Sequence, residues 1–323
     1  LAEIISGTPE VRNEAGELVK AGIKGLFPPP LKMEFEKAMR MLCVTKKKYA
    51  GFLIEDDGSF KMDKRGEPGD EEIYKRGIVI ARRDNYPYLR KVYTNVLRSV
   101  LRRNPIEDTF KMILDAVVEL LSGKLPARGN LTFIRGIGAE YASDSYFMKV
   151  FSDELASKGH PVAPGDRLEY VIVKSDNPIL GKRMRLIEMY EDSINYDEAK
   201  EGPRPDNVYP VEEIDYLYYL TNGLQNPVDQ LFNAGYIDEL YKTTLHDVGY
   251  KPKNSRSKKV NINTPIKMMT TIIHDKTRKG EFTLDECLKF LQDEFYDWFL
   301  EQLATAEPLE EPVEIEVVED EED

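Results

Sequence analysis

The sequence predicts an α+β fold, with strands concentrated in the first part of the chain and helices dominating the rest. Three observations carry that expectation. Leu31-Lys32-Met33-Glu34-Phe35-Glu36 alternates apolar and charged residues, the two-residue period of a strand with Leu31, Met33 and Phe35 on its buried face. Gly51-Phe52-Leu53-Ile54 and Phe60-Lys61-Met62 flank Asp56-Asp57-Gly58-Ser59, which is hairpin chemistry. Further on, Leu89, Val92, Val96 and Val100, then Phe110, Ile113, Leu114, Val117 and Leu121, recur at helical spacing.

Taken in order, the first expected element is a helix from about Pro9 to Leu26, with Thr8 as N-cap, Pro9 at its first position and an end near Gly25. Pro28-Pro29-Pro30 then leads into the alternating strand. A helix from Asn85 to about Arg103 is stopped by Asn104-Pro105, and a second closes at Gly123. A short strand near Leu131–Ile134, a helix over Ser145–Lys158 with Gly159 past its end, and a strand over Leu168–Val173 come next. Thr283-Leu284-Asp285-Glu286 is a capping box opening an amphipathic helix to about Leu303. Lys251, Lys253, Arg256, Lys258 and Lys259 read as a mobile basic loop. Residues 306–323, acidic and holding Pro308 and Pro312, read as a disordered tail.

A length of 323 residues suggests two or three compact units. No run approaches the roughly 18 apolar residues of a membrane span, and no secretory signal opens the chain. The first residue is Leu1, so the sequence reads as a piece of something longer. Cys43 and Cys287 lie far apart, outside any Cys-x-x-Cys pair, and read as reduced core residues; His160, His246 and His274 lack metal-ligand spacing. The net charge of −13 is concentrated at the end: ten acids after Ala306 leave −3 on residues 1–306. Between Lys75 and Arg103 stand nine basic residues and one acid, Asp84. Because salt screens charge beyond about 10 Å, this local excess matters more to a polyanion than the total.

Thr45-Lys46-Lys47-Lys48-Tyr49-Ala50-Gly51 places three adjacent ammonium groups beside an aromatic ring, on a loop or short strand fixed to a sheet. Such a run is costly to hold except against a polyanion, although a lysine run can also be plain solvated surface. Downstream come Arg76-Gly77-Ile78-Val79-Ile80-Ala81-Arg82-Arg83-Asp84-Asn85, then Gly165-Asp166-Arg167-Leu168-Glu169-Tyr170-Val171-Ile172. In this order the three stretches resemble the Lys-Lys-Arg-Tyr, Lys-Gly-x4-Arg-Arg-Asp and Gly-Asp-Arg-x-x-Tyr-Val-Ile elements of family B DNA polymerases. Ile214-Asp215-x-x-Tyr218-Tyr219-Leu220, with Asn226-Pro227 after it, resembles the end of that family's thumb. The resemblance spans about Phe27 to Phe232. Arg76 and Lys48 replace the usual Lys and Arg; the second change keeps charge but loses the planar guanidinium fork.

The resemblance implies the C-terminal edge of a polymerase palm over residues 1–75 and a largely helical thumb over 76–232. A C-terminal extension (233–305) and the acidic tail (306–323) would complete the chain. It implies a DNA-directed DNA polymerase acting in replication inside the cell, in the nucleus or, if viral, at a cytoplasmic replication site. In the intact enzyme Mg2+ would serve two-metal nucleotidyl transfer. Primer-template DNA, dNTP and the N-terminal remainder of the polymerase would be partners. The family's metal-binding palm motifs, Asp-x-x-Ser-Leu-Tyr-Pro and Tyr-Gly-Asp-Thr-Asp-Ser, do not occur in the sequence, so this stretch alone is expected to be inactive. Tyr141-Ala142-Ser143-Asp144-Ser145 and Tyr190-Glu191-Asp192-Ser193 echo the second motif but fall where the family has thumb.

By the same resemblance Lys47 would reach the minor groove beside the primer end, Tyr49 would support the primer backbone, and Lys46 and Lys48 would neutralise phosphate. Glu36 matches a glutamate that faces the metal site, and is equally readable as a solvent-facing strand residue. For Arg82 and Arg83, phosphate binding and a structural ion pair near Asp84 are both open. Arg167 reads either as a DNA contact or as part of a turn entering a strand. Gln292-x-x-Phe295-x-x-Trp298-Phe299 has the outline of a sliding-clamp-binding motif, and also of an ordinary packed helix. A non-catalytic duplex-binding subunit of a naturally split polymerase is the alternative reading.

Overall fold

The computed structural model describes residues 10–12, 18–20, 37–63, 71–205, 208–237, 265–278 and 283–305. The expected strand through Leu31 and Phe35, Glu36 at its end, the basic loop around Lys251–Lys259 and the acidic tail lie outside the described residues.

The helix expected from Pro9 is replaced by two short strands. β1 (Glu10–Arg12) and β2 (Leu18–Lys20) pair antiparallel with Val11 opposite Val19. The reason is local: β-branched valines favour strands, while Asn13 and Gly16 are poor residues for a helix interior.

The chain forms two units, one within residues 1–41 and 51–74, the other within 42–50 and 75–323. The lysine motif thus groups with the helical region C-terminal to it. β3 (Ala38–Thr45), β4 (Lys48–Ile54) and β5 (Ile73–Arg76) form a sheet in that order. In the first unit the expected hairpin at Asp56–Ser59 is present. Gly58 sits at φ 84° and Ile54 bridges Phe60. The Phe52 ring is fully buried and packs 5.3 Å from Phe60.

The second unit is mostly helical. α1 (Pro87–Arg102) and α2 (Ile106–Leu121) bury the apolar stripes read from the sequence, including Val96, Phe110, Ile113 and Val117 at 0% exposure. Arg103 closes α1 in the left-handed region at φ 58°, with its N–H donating to the carbonyls at the helix end. A second sheet runs β6 (Phe133–Gly136), β7 (Arg167–Ile172), β8 (Met184–Leu186), antiparallel throughout. α3 (Phe147–Ser157) precedes β7, and α4 (Ile187–Asn195) and α5 (Glu198–Glu201) come after β8.

A helical run then passes from α6 (Tyr216–Tyr218) through a widened turn (Tyr219–Leu224) into α7 (Gln225–Phe232). α8 (Pro265–Arg278), α9 (Leu284–Phe290) and α10 (Tyr296–Thr305) complete the unit. The capping box is formed: the Thr283 N–H and hydroxyl donate to Glu286 at 2.7 and 2.9 Å, and the Glu286 N–H returns to Thr283 at 3.3 Å. Cys287 behind it is a buried free thiol. No helix among the described residues is long and apolar enough to cross a membrane.

The sliding-clamp outline does not describe an accessible motif. Phe295 and Phe299 are 2% and 1% exposed, and the Phe299 ring stacks on Phe110 of α2 at 3.6 Å. Residues that would have to enter a clamp pocket are core here, because a Gln with spaced aromatics after it is also what a packed amphipathic helix contains.

Candidate nucleic-acid interface

β3 and β4 are joined by a two-residue turn, Lys46-Lys47. Along β4 exposure falls quickly, from exposed Lys48 through half-buried Tyr49 to buried Ala50, Gly51 and Phe52. The three ammonium groups therefore stand at the rim of a strand whose interior end is fixed. Lys47 has φ 65°, a conformation uncommon outside glycine. Its carbonyl lies against Gly77: a Cβ on Gly77 would stand 2.4 Å from that oxygen. Gly77 is itself at φ 64°, so both its backbone conformation and its neighbour demand glycine.

Beyond Gly77, Ile78 before a short turn at Val79–Ala81 and Ile80 within it are buried anchors. The Arg82 N–H donates to the Val79 carbonyl at 3.1 Å, and the Asn85 side-chain amide donates to the same oxygen at 3.2 Å. This knot leaves Arg82 and Arg83 exposed. Asp84 faces Arg135, at 3.9 Å, and neither of its sequence neighbours. Among the described residues Lys46, Lys47, Lys48, Arg82 and Arg83 enter no ion pair.

Lys48, Gly77, Arg82 and Asn85 line a cleft of about 290 Å³ together with Asn226, Pro227 and Gln230 of α7. Three stretches as far apart in sequence as Lys48 and Gln230 thus meet at one place. α7 reaches the cleft through the widened turn before it, where the Gln225 N–H bonds the Leu220 carbonyl five residues back. Pro227 has no N–H to offer the carbonyl of Gly223, and a helix tolerates it only where its ladder is already loosened. Gly223 is needed for a further reason: a Cβ there would lie 2.6 Å from the Tyr86 hydroxyl. Sequence reasoning misses Asn85 and Gln230. The second carries a usable signal, since it stands four residues after Asn226 on one helix face.

A family model for DNA polymerase family B matches residues 6–234. The chain belongs to that family.

Among similar proteins, DNA polymerase 120R of Invertebrate iridescent virus 3 is 27% identical over 286 residues, covering 72% of this chain and 23% of the relative. The DNA polymerase delta catalytic subunit of Glycine max is 28% identical over 269 residues, covering 81% and 21%. The family B DNA polymerase of Pyrobaculum calidifontis overlays with a TM-score of 0.38 at 20% identity, covering 61% of this chain and 21% of that one. The chain thus spans about a quarter or less of the curated relatives it matches.

In this family B chain the remaining motif residues hold the scaffold together. The Tyr219 hydroxyl donates to the Leu131 carbonyl at 2.7 Å and accepts from the Ile172 N–H at 3.1 Å. Tyr86, which precedes α1, donates to the Tyr219 carbonyl at 2.9 Å, their rings meeting edge to face at 5.0 Å. Tyr219 of the fourth motif is therefore tied to Ile172 of the third and to Tyr86, the residue that follows the second. Burial pushes the hydroxyls of Tyr86 and Tyr219 far up and that of Tyr170 up to about 12. Asp215 caps α6 by accepting from the Tyr218 N–H at 2.9 Å and also pairs with Arg183. Asp166 accepts from the Ala163 N–H at 2.8 Å, which makes it a turn residue. Arg167 is exposed, lies opposite Gly136 at the start of β7, and does not line the cleft.

Glu36 lies outside the described residues. Among the described residues no group of three or more His, Cys, Asp or Glu is arranged to hold a metal ion. Glu191, in one echo of the palm motif, is held by Arg128 at 2.6 Å. The described residues do not fit Mg2+.

Proposed function

We propose that this chain is the palm edge and thumb of a DNA-directed DNA polymerase, and that its part in nucleotidyl transfer is to grip the primer-template duplex. The observation that carries the reading is the cleft where Lys48 and Arg82 meet Asn226, beside the exposed Lys46-Lys47 turn and Arg83. Cations held on rigid elements and without acidic partners among the described residues are suited to phosphate oxygens. The amides of Asn226 and Gln230 add neutral donors that need no particular base. Lys47, at the turn, would meet the minor groove, where purine N3 and pyrimidine O2 accept from a donor at every correct pair. Tyr49 would support the backbone. Arg167 would contact the duplex away from the cleft. Glu36 would approach the reaction centre, and dNTP, Mg2+ and the rest of the palm would be supplied by the remainder of the polymerase.

Duplex binding tests this directly. Fluorescence anisotropy of the chain with a primer-template duplex should show weak, sequence-independent affinity. Log affinity should fall against log salt with a slope near −0.9 per phosphate contact. Affinity unaffected by salt, or confined to one sequence, would contradict the reading.

A further inference from the structure

We infer that α8 is a brace for the cleft and that Asp229 is the positioning residue through which it acts. This rests on the cleft being the duplex-binding site.

α7 carries two kinds of side chain on the same two turns. Asn226 and Gln230, four residues apart, line the cleft. Gln225 and Asp229, also four apart, hold α8. Asp229 is only 5% exposed. Its Oδ1 accepts from the Ile266 N–H at 2.9 Å and its Oδ2 from the Lys267 N–H at 3.0 Å. These are first-turn amides with no partner inside their own helix, at the positive end of its dipole. Both carboxylate oxygens thus accept from the first turn of a helix far away in sequence. The Thr270 hydroxyl adds a bond to the Gln225 amide oxygen at 3.2 Å.

α7 needs support from outside. It begins at a widened turn and contains Pro227, so its ladder is incomplete where Asn226 faces the cleft. α8 holds α7 from the side, in contact with both α7 and α2 and with its own Ile266 and Met269 fully buried. Loss of the Asp229 cap should therefore be felt at Asn226 and Gln230, although Asp229 itself does not line the cleft.

The test uses the full chain and its Asp229→Ala, Asp229→Asn and Phe299→Leu variants, with duplex anisotropy and amide hydrogen exchange. Phe299→Leu loosens the distant stack on Phe110 and serves as the stability control. Asp229→Ala should speed exchange at Ile266 and Lys267, spread that loss to Val228–Phe232, and weaken duplex binding on the order of tenfold. Asp229→Asn, which keeps one acceptor oxygen, should fall between, and stands in if the alanine variant does not fold. Phe299→Leu should leave affinity within about twofold. Unchanged duplex affinity in an Asp229 variant whose α8 amides have opened overturns the proposal, as does an equal loss in Phe299→Leu. If the unaltered chain fails to bind duplex, the binding reading is at fault. Exchange then decides the brace alone: opening of α8 that does not spread to Val228–Phe232 refutes it.

Discussion

Gly77 and Lys47 are packed backbone against backbone. The space a Gly77 side chain would need is already taken by the Lys47 carbonyl, 2.4 Å from the Cβ position. The contact joins the lysine motif to the arginine motif at the main chain, while Lys46, Lys47, Lys48, Arg82 and Arg83 stand exposed around it. Lys47 itself is left-handed within the two-residue turn between β3 and β4, where a short connection calls for positive φ.

Gly77→Ala should therefore cost about 1–3 kcal/mol, from the positive φ and the steric conflict together. Chemical denaturation would measure it. Duplex affinity should drop at the same time, because the Lys46-Lys47 turn must shift. An alanine variant with unaltered stability and affinity would mean that the contact constrains nothing.

Lys47→Gly separates the two roles of that residue. Glycine adopts φ 65° without a Cβ penalty, so stability should hold or rise by up to about 1 kcal/mol. Duplex binding should weaken by about 1.5–3 kcal/mol through loss of a charged donor, with the salt slope shallower by about 0.9. Denaturation midpoints and anisotropy titrations give both numbers. Lys32→Ala, outside the motif, is the comparison, and an equal loss of affinity there would reduce the motif to generic charge.

Tyr219→Phe keeps the ring but removes a hydroxyl that donates to Leu131 and accepts from Ile172. With the site buried, the two main-chain groups lose their partner, at a cost of about 1–3 kcal/mol. Thermal unfolding and exchange at the Ile172 amide would show it. Full protection of that amide in the variant would argue against the bond.

The tyrosines also set an alkaline limit. Tyr93 and Tyr170 are pushed up to about 12 by burial, from an ordinary value of 10.0, and Tyr86 and Tyr219 higher still. Because the folded values lie above the unfolded one, their contribution is complete below pH 10 and is lost as pH rises from there through the folded values. Unfolding free energy should thus decline between pH 10 and 12, with phenolate absorbance appearing together with loss of structure. Stability that stayed level across this interval would show that these hydroxyls are open to solvent.

Much of the architecture is legible in the sequence because its causes are local. The apolar stripes of α1 and α2, the Asp56–Ser59 turn and the Thr283–Glu286 box each depend on residues within a few positions of one another, and each lies where the sequence puts it. The order of the four motifs is equally plain. Pro9–Leu26 misleads because a threonine and a proline suit a helix start, while Val11 and Val19 favour strands and Gly16 disfavours a helix interior, and the chain forms β1 and β2 there.

What the tertiary structure alone decided is which groups meet. Asp84 turned to Arg135, 51 residues away, and so left Arg82 and Arg83 unpaired among the described residues. Phe295 and Phe299 went to Phe110 and not to a surface. Lys48, Arg82 and Asn226 share a cleft only because a widened turn delivers α7 to it, and Asp229 closes a helix that begins 36 residues later. Periodicity and capping are properties of neighbouring residues. Pairing between distant side chains depends on the path of the folded backbone, and a charge or an aromatic ring in the sequence carries no mark of the partner that path will bring to it.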